Sequence, residues 1–248
     1  MNKIIEIKNL CKKYYSKDKE ILAIDNIDLD VYEGEFLAIV GPSGCGKSTL
    51  LNIIGGIDNK TSGEVKVIGN KKIGYMLQSD CLFSWLTILD NALLGLKIKG
   101  LLTDENIEYV KQLLNEYGLS EFINSYPASL SGGMKQRVAL IRTLALKPDV
   151  LLLDEPFSAL DYQTRLKVAD DVYKIIKHEN KTVVMITHDV GEACSTSDRV
   201  VVLSDRPSKI KKIFKIEMTN KSTPISNRKC KEFSEYYDMI WKEIDKHA

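Results

Sequence analysis

The segment Gly41-Pro42-Ser43-Gly44-Cys45-Gly46-Lys47-Ser48-Thr49 constrains this chain more than any other. It fits G-x-x-x-x-G-K-[ST], and it sits between an apolar run, Phe36 to Val40, and a helical pattern that follows at once. That is the context in which the pattern has physical meaning. Glycines let successive backbone N–H groups turn inward around an anion, and the helix N-terminus adds partial positive charge. In such a loop Lys47 is expected on the β- and γ-phosphates and the Ser48 hydroxyl on Mg²⁺. A nucleotide site within strand–helix alternation is therefore expected. A GTPase is disfavoured, because no Asn-Lys pair of the sequence, those at 59, 70, 180 and 220 among them, carries the aspartate of a guanine-reading N-K-x-D. The loop alone leaves a small-molecule kinase open.

The rest of the chain supplies the alternation. Phe36–Val40, Val150–Leu153, Val183–Ile186 and Val200–Leu203 are continuous apolar runs, the pattern of strands covered on both faces. Ile4, Ile5, Ile7 and Leu10 begin a strand-like opening. Helical patterns occupy roughly 47–56, 133–146, 161–178 and 189–196. The expected fold class is α/β with a mostly parallel sheet. The stretch from about 80 to 147 carries no convincing buried strand and reads as an inserted helical subdomain. After the polar break Lys221-Ser222-Thr223-Pro224, residues Phe233, Tyr236, Tyr237, Ile240, Trp241 and Ile244 recur at helical spacing. They predict a helix packing an aromatic stripe on the body.

Composition narrows the classes. A membrane span needs about 20 consecutive apolar residues, and the apolar runs here are far shorter. Met1-Asn2-Lys3-Ile4-Ile5-Glu6 puts charge where the apolar stretch of a signal peptide should begin. The five scattered cysteines form no C-x-x-C pair, so neither a zinc site nor a disulfide framework is expected, and a reducing cytoplasm is the expected compartment. The 35 basic and 34 acidic residues leave a formal net charge of +1, which provides no global attraction for nucleic acid.

Two further segments carry chemistry. Val150-Leu151-Leu152-Leu153-Asp154-Glu155 is a buried strand ending in two carboxylates. Asp154 at its tip is placed to hold Mg²⁺, and Glu155 to polarise an attacking water as general base. Leu130-Ser131-Gly132-Gly133-Met134 places an N-capping serine and two glycines at the start of a helix, a second anion-binding helix N-terminus.

With these residues the chain resembles the ATP-binding subunit of ATP-binding-cassette (ABC) transporters. The resemblance covers about residues 3 to 217 and rests on the order of six motifs. They are the Walker A loop 41–49, the Q-loop Gln78, the signature 130–134, the Walker B strand 150–154 with Glu155, the D-loop Ser158-Ala159-Leu160-Asp161 and the switch His188. The resemblance implies a P-loop cassette over 1–217, with an N-terminal antiparallel β region and a helical subdomain near 80–147, and a helical tail over 218–248. It implies ATP and Mg²⁺ as ligands. Gly41, Pro42, Ser43, Gly44, Cys45, Gly46, Lys47, Ser48 and Thr49 would cradle the phosphates. Ser48, Gln78 and Asp154 would serve the metal, and Glu155, His188, Lys47 and Gln78 catalysis. In the family two cassettes pair head to tail, so that Ser131, Gly132, Gly133 and Asp161 act on the partner's ATP. An aromatic ring in a Leu-x-Lys-x-aromatic context stacks on adenine, which makes Tyr14 the choice, with Tyr15 adjacent. Since Cys45 lies within the cradle, a bulky thiol reagent is expected to block ATP.

A subfamily resemblance extends further. Gln78 to Asn91, Asp154 to Asp161 and Asp205-Arg206-Pro207 are similar to importers of the nitrate, sulfonate and taurine group. That group normally has proline before the tryptophan where this chain has Ser84. The implied partners are transmembrane permease subunits, a second copy of the chain and, indirectly, an extracytoplasmic substrate-binding protein. The implied location is peripheral, at the cytoplasmic membrane face. An exporter motor shares all six motifs. A non-transport ATPase acting on nucleic acid or ribosomes fits less well, since tandem cassettes and coiled-coil insertions are missing from the sequence.

Overall fold

The computed structural model describes residues 2–16, 19–158 and 160–245. Two long strands, β1 (Lys3–Ser16) and β2 (Lys19–Tyr32), pair antiparallel. With β4 (Ser62–Val67) they form a three-stranded sheet of order β2-β1-β4. The second sheet holds six strands. Its order is β5-β6-β7-β3-β8-β9, from β5 (Ile73–Met76), β6 (Val150–Asp154), β7 (Thr182–Ile186), β3 (Phe36–Val40), β8 (Arg199–Leu203) and β9 (Ile210–Lys215). The first five are mutually parallel, and β9 closes the edge antiparallel to β8.

The four apolar runs are the four central strands, and their alternate residues build two separate cores. Phe36, Ala38, Val40, Leu151, Leu153, Val183 and Met185 join one cluster, with helices α2 (Ile88–Ile98), α3 (Asp104–Glu116), α4 (Gly132–Leu144), α5 (Tyr162–His178) and α6 (Val190–Thr196). Leu37, Ile39, Val150, Leu152, Val184 and Ile186 join the other, with α1 (Lys47–Ile54) and the inner face of β1 and β2. Period-2 alternation thus loads both faces of one sheet. Each fully buried Leu, Ile or Val contributes roughly 1.5–3 kcal/mol.

Residues 80–147 hold α2, α3, α4 and two short 3₁₀ turns, and no strand among them. Thr87, Thr103 and Ser131 cap these helices, each accepting the amide three residues on. Asn91 is buried and fastens the preceding loop to α2. It accepts the Phe83 amide at 2.8 Å, and its own amide reaches the carbonyls of Phe83, Leu86 and Thr87 at 3.0–3.1 Å.

The polar break at 221–224 is a packed corner. Lys221 bonds the Ser197 carbonyl and Asp198, both at 2.7 Å, ahead of the short α7 (Pro224–Asn227). The final helix, α8 (Lys231–Ile244), buries Ile240 in the helical-side core, with Phe233, Tyr236, Tyr237 and Ile244 packed around it. Trp241 stacks on Tyr237 but stays half exposed. No helix among the described residues is long and apolar enough to cross a membrane.

Candidate active site

Strand order β5-β6-β7-β3 sets the site, because parallel strands release their C-terminal ends along one edge. β3 runs into the glycine loop, β5 ends two residues before Gln78, β6 ends at Asp154 and β7 two residues before His188. Ser43, Gly44, Gly46, Lys47, Ser48 and Thr49, with Gln78, Glu155 and His188, line one cavity of about 630 Å³. Residues 145 positions apart in the chain are thereby brought to one wall (43 to 188).

The glycine loop is built as its sequence requires. Gly46 takes φ +117° at the N-cap of α1 and offers no side-chain cap, so the leading helix amides are not met by a capping side chain. Gly44 takes φ +71°, where a Cβ would be strained. Lys47 is buried, and its ammonium bonds the carbonyls of Gly41 and Pro42 at 2.9 and 3.0 Å. This curls the lysine across the loop mouth. The loop carries no acidic residue, and α1 has none in its first turn.

Opposite the loop stand the carboxylates. Ser48 Oγ donates to Asp154 Oδ1 at 3.2 Å, and burial pushes the Asp154 carboxyl above its ordinary range. Glu155 takes φ +44°, a strained value for a non-glycine residue. That backbone aims its carboxylate at two partners: Oε2 accepts from Gln78 Nε2 at 3.1 Å and lies 3.0 Å from His188 Nδ1. Ser158 Oγ donates to the Glu155 carbonyl at 3.1 Å and lies 3.4 Å from Gln78 Nε2. Among the described residues no group of three or more His, Cys, Asp or Glu could hold a metal. The Ser48–Asp154 oxygen pair is a sparse, hard donor set. It fits Mg²⁺, which takes few protein ligands and completes its shell with water and phosphate.

The two tyrosines fall on opposite faces of β1, as adjacent strand residues must. Tyr14 hydroxyl donates to Asp58 at 2.8 Å and lies 3.4 Å from Thr49 Oγ1 on the cavity wall. Tyr15 is 71% exposed. The Lys12 ammonium sits 4.6 Å over the Tyr14 ring and bonds Asp58 at 2.7 Å. Lys12 and Asp58 were not foreseen; the Leu-x-Lys-x-aromatic spacing carried the lysine, but only folding brings Asp58 to it.

One expectation is overturned. Cys45 belongs to the loop, but its side chain packs in the apolar core and is 1% exposed. Its sulfur would lie 3.2 Å from a Cβ on Gly41, and burial raises its thiol pKa. It is absent from the cavity lining, as are Gly41 and Pro42. Direct blockage of phosphates by a reagent on Cys45 therefore does not follow.

Ser131, Gly132, Gly133 and Asp161 are not brought to this cavity. Ser131 Oγ accepts the Met134 amide at 3.3 Å, and Asp161 accepts the Thr164 amide at 3.1 Å as the cap of α5. Hydrogen bonds from the Thr164 hydroxyl and amide hold the Asp161 carboxyl below its ordinary pKa. A Cβ on Gly133 would meet Val168 Cγ2 at 2.8 Å, so glycine lets α4 cross α5 without displacing that side chain. Ala159 of the D-loop lies outside the described residues. Farther along α4, Arg142 donates to the carbonyls of Asp80 and Cys81 at 2.5 and 2.7 Å, tying the segment after Gln78 to that helix.

Comparison with known proteins shows the family. A family model described as ABC transporter matches residues 24–158. The uncharacterized ABC transporter ATP-binding protein YtlC of Bacillus subtilis (strain 168) is 43% identical, over 97% of this chain and 95% of its own. The nitrate import ATP-binding protein NrtD of Synechocystis sp. is 40% identical, over 95% of this chain and 93% of its own. A solved dimer of the ATP-binding cassette MJ0796, in a post-hydrolysis state with ADP and Pi, superposes with a TM-score of 0.74 at 35% identity. It covers 87% of this chain and 100% of that one. The glycine loop, the paired strand-tip carboxylates and these likenesses together place the chain in the ABC transporter family, as one of its ATP-hydrolysing cassettes.

Proposed function

We propose that two copies of this chain close head to tail over ATP and power import of nitrate, a sulfonate, taurine or a related small solute through separate permease subunits. The observation that carries the catalytic part is the Glu155 carboxylate, held between Gln78 and His188 at the mouth of the glycine loop. Glu155 takes a proton from the attacking water, and His188 orients both. Lys47 and the loop amides hold the β- and γ-phosphates against α1. Ser48 and Asp154, with the Gln78 carbonyl oxygen, hold Mg²⁺, whose charge neutralises phosphate oxygens when bound. Tyr14 stacks on the adenine, its ring fixed by Asp58 and Lys12. The Ser131-Gly132-Gly133 helix start and Asp161 complete the site of the other copy. MJ0796 was solved as a dimer, which supports pairing of two copies, and NrtD, named for nitrate import, supports the direction and solute class. The chain then sits at the cytoplasmic membrane face, held there by the permease and served indirectly by an external binding protein.

Glu155→Gln is the direct test. The variant should bind ATP, lose turnover and accumulate as a dimer in size-exclusion chromatography. Full ATPase activity would refute the general-base role. Co-purification with a permease, followed by uptake of labelled nitrate or sulfonate into proteoliposomes, tests direction; ATP-driven outward movement would refute import.

A further inference from the structure

We infer that Arg165, seated against Glu192, is a positioning residue that clamps the D-loop to the segment carrying His188, so that the two move as one unit. The inference rests on the proposed roles of His188 and Asp161 and adds a part those roles do not include.

The clamp is drawn by one guanidinium. Arg165 lies one turn into α5; its Nη2 donates to the Leu160 carbonyl at 3.1 Å, the residue just before Asp161. Its Nη1 donates to Asp189 Oδ2 at 3.3 Å, the residue just after His188. Its Nε lies 3.8 Å from Glu192 Oε1 and is buried without a hydrogen-bond partner. Glu192 in turn grips the other side of the histidine. Its Oε2 accepts from Thr187 Oγ1 at 2.6 Å, and Thr187 Oγ1 accepts the Asp189 amide at 3.0 Å. Asp189 Oδ1 closes the ring by accepting the Glu192 amide, also at 3.0 Å. Residues 187 and 189 are thus fixed on both sides of His188, and the fixture is tied to the backbone of 160.

Burial separates this arrangement from an ordinary surface ion pair. Glu192 is 4% exposed and Thr187 is 2% exposed. Burying a carboxyl there is unfavourable unless its oxygens are met; Oε2 is met by the Thr187 hydroxyl, and Oε1 faces the Arg165 guanidinium at ion-pair distance without a hydrogen bond. A planar fork of five donors can serve three acceptors on separate elements, which an ammonium on a flexible stem does less well. The Nε–Oε1 gap is about 1 Å longer than a hydrogen bond. A slight approach of α5 to α6 would close it, so the clamp can tighten as the D-loop shifts.

The test uses the purified full chain with Mg-ATP. Arg165→Gln and Arg165→Lys are each measured alone and with His188→Ala, for kcat, KM, ATP affinity and thermal midpoint. The expected result is a loss in kcat of about tenfold or more for Arg165→Gln, with KM and affinity within about twofold. Arg165→Lys should recover part of the loss. With His188→Ala present, Arg165→Gln should cost nothing further, because the clamp acts through that residue. A merely structural role predicts a lower midpoint with kcat preserved, or losses that multiply in the double variant; either overturns the clamp. If Arg165→Gln fails to fold, Arg165→Lys, which keeps the charge but not the planar fork, carries the same comparison. Full turnover by His188→Ala alone would instead overturn the role of His188, and the clamp would fall with it.

Discussion

Replacing Asn91 with alanine removes the fastening between α2 and the loop that presents Phe83 and Trp85. The side chain accepts one backbone amide and reaches three backbone carbonyls. Each net bond is worth about 1 kcal/mol, and the groups left behind are part-buried, so the loss should be about 3 kcal/mol. In a chain of this size that lowers the midpoint by roughly 6–12 °C. Local opening changes the form of the answer. If the loop detaches while α2 stays, the global loss is capped at the free energy of that opening. Two assays separate the cases: urea unfolding reads the global term, and hydrogen exchange at the Phe83 amide reads the local one. Trp85 supplies a third. It is 70% exposed and lies 4.9 Å from the Phe83 ring, centroid to centroid. With Trp241→Phe as background, its emission anisotropy should fall when the loop is freed. Unchanged exchange, anisotropy and stability in Asn91→Ala would refute the reasoning.

Other expectations follow from the same coordinates. Gly133→Ala should destabilise the crossing of α4 on α5 by about 1–3 kcal/mol, and Val168→Ala should relieve it, since Val168 is the atom group met at 2.8 Å; additive losses in thermal melts would contradict the steric account. Burial raises the Glu192 carboxyl to about 7 from its ordinary 4.5. The folded state therefore holds a proton the unfolded chain has released, and this stability is present below about pH 4.5 and lost as pH rises through 7. Glu192→Gln should flatten that decline, by on the order of 3 kcal/mol across the window; identical pH–melting curves would refute the burial argument. For thiols, Cys81 is exposed and Cys45 buried. Mass spectrometry after brief labelling should find Cys81 modified and Cys45 untouched until the chain unfolds.

How much of this was readable beforehand varied with how many faces of an element are buried. Val150–Leu153 and its three companions declare themselves because both faces are apolar. β4 has no fully buried residue, so Ser62–Val67 shows no pattern, and β5 is four residues long with Gly74 in it. β9 reads as lysines because it is an edge strand with one buried residue, Phe214. In β1 the alternation of Ile5 and Ile7 is broken by register shifts beyond Ile7, where Asn9 takes φ +47°. Only the first third of that strand was legible. In the site, motif order located Lys47, Gln78, Glu155 and His188, which the fold does bring together. It could not separate Tyr14 from Tyr15, which takes strand parity. Nor could it show that Cys45 points into the core. Asp58, Arg142, Arg165 and Glu192 carry no local signal, because each acts on backbone or side chains distant in sequence.

The Arg142 contacts give α4 a mechanical character. From Gly132 to Arg142 the helix extends about 15 Å, with the two glycines at its leading end and the carbonyls of Asp80 and Cys81 held near its far end. A helix this short does not bend appreciably, so its two ends keep a fixed spacing. The chain just after Gln78 and the glycine pair are thereby held on one and the same helix. Whatever loads the glycine end is felt, by the same geometry, two residues from the glutamine. The loop and the helix start are then the two ends of one strut.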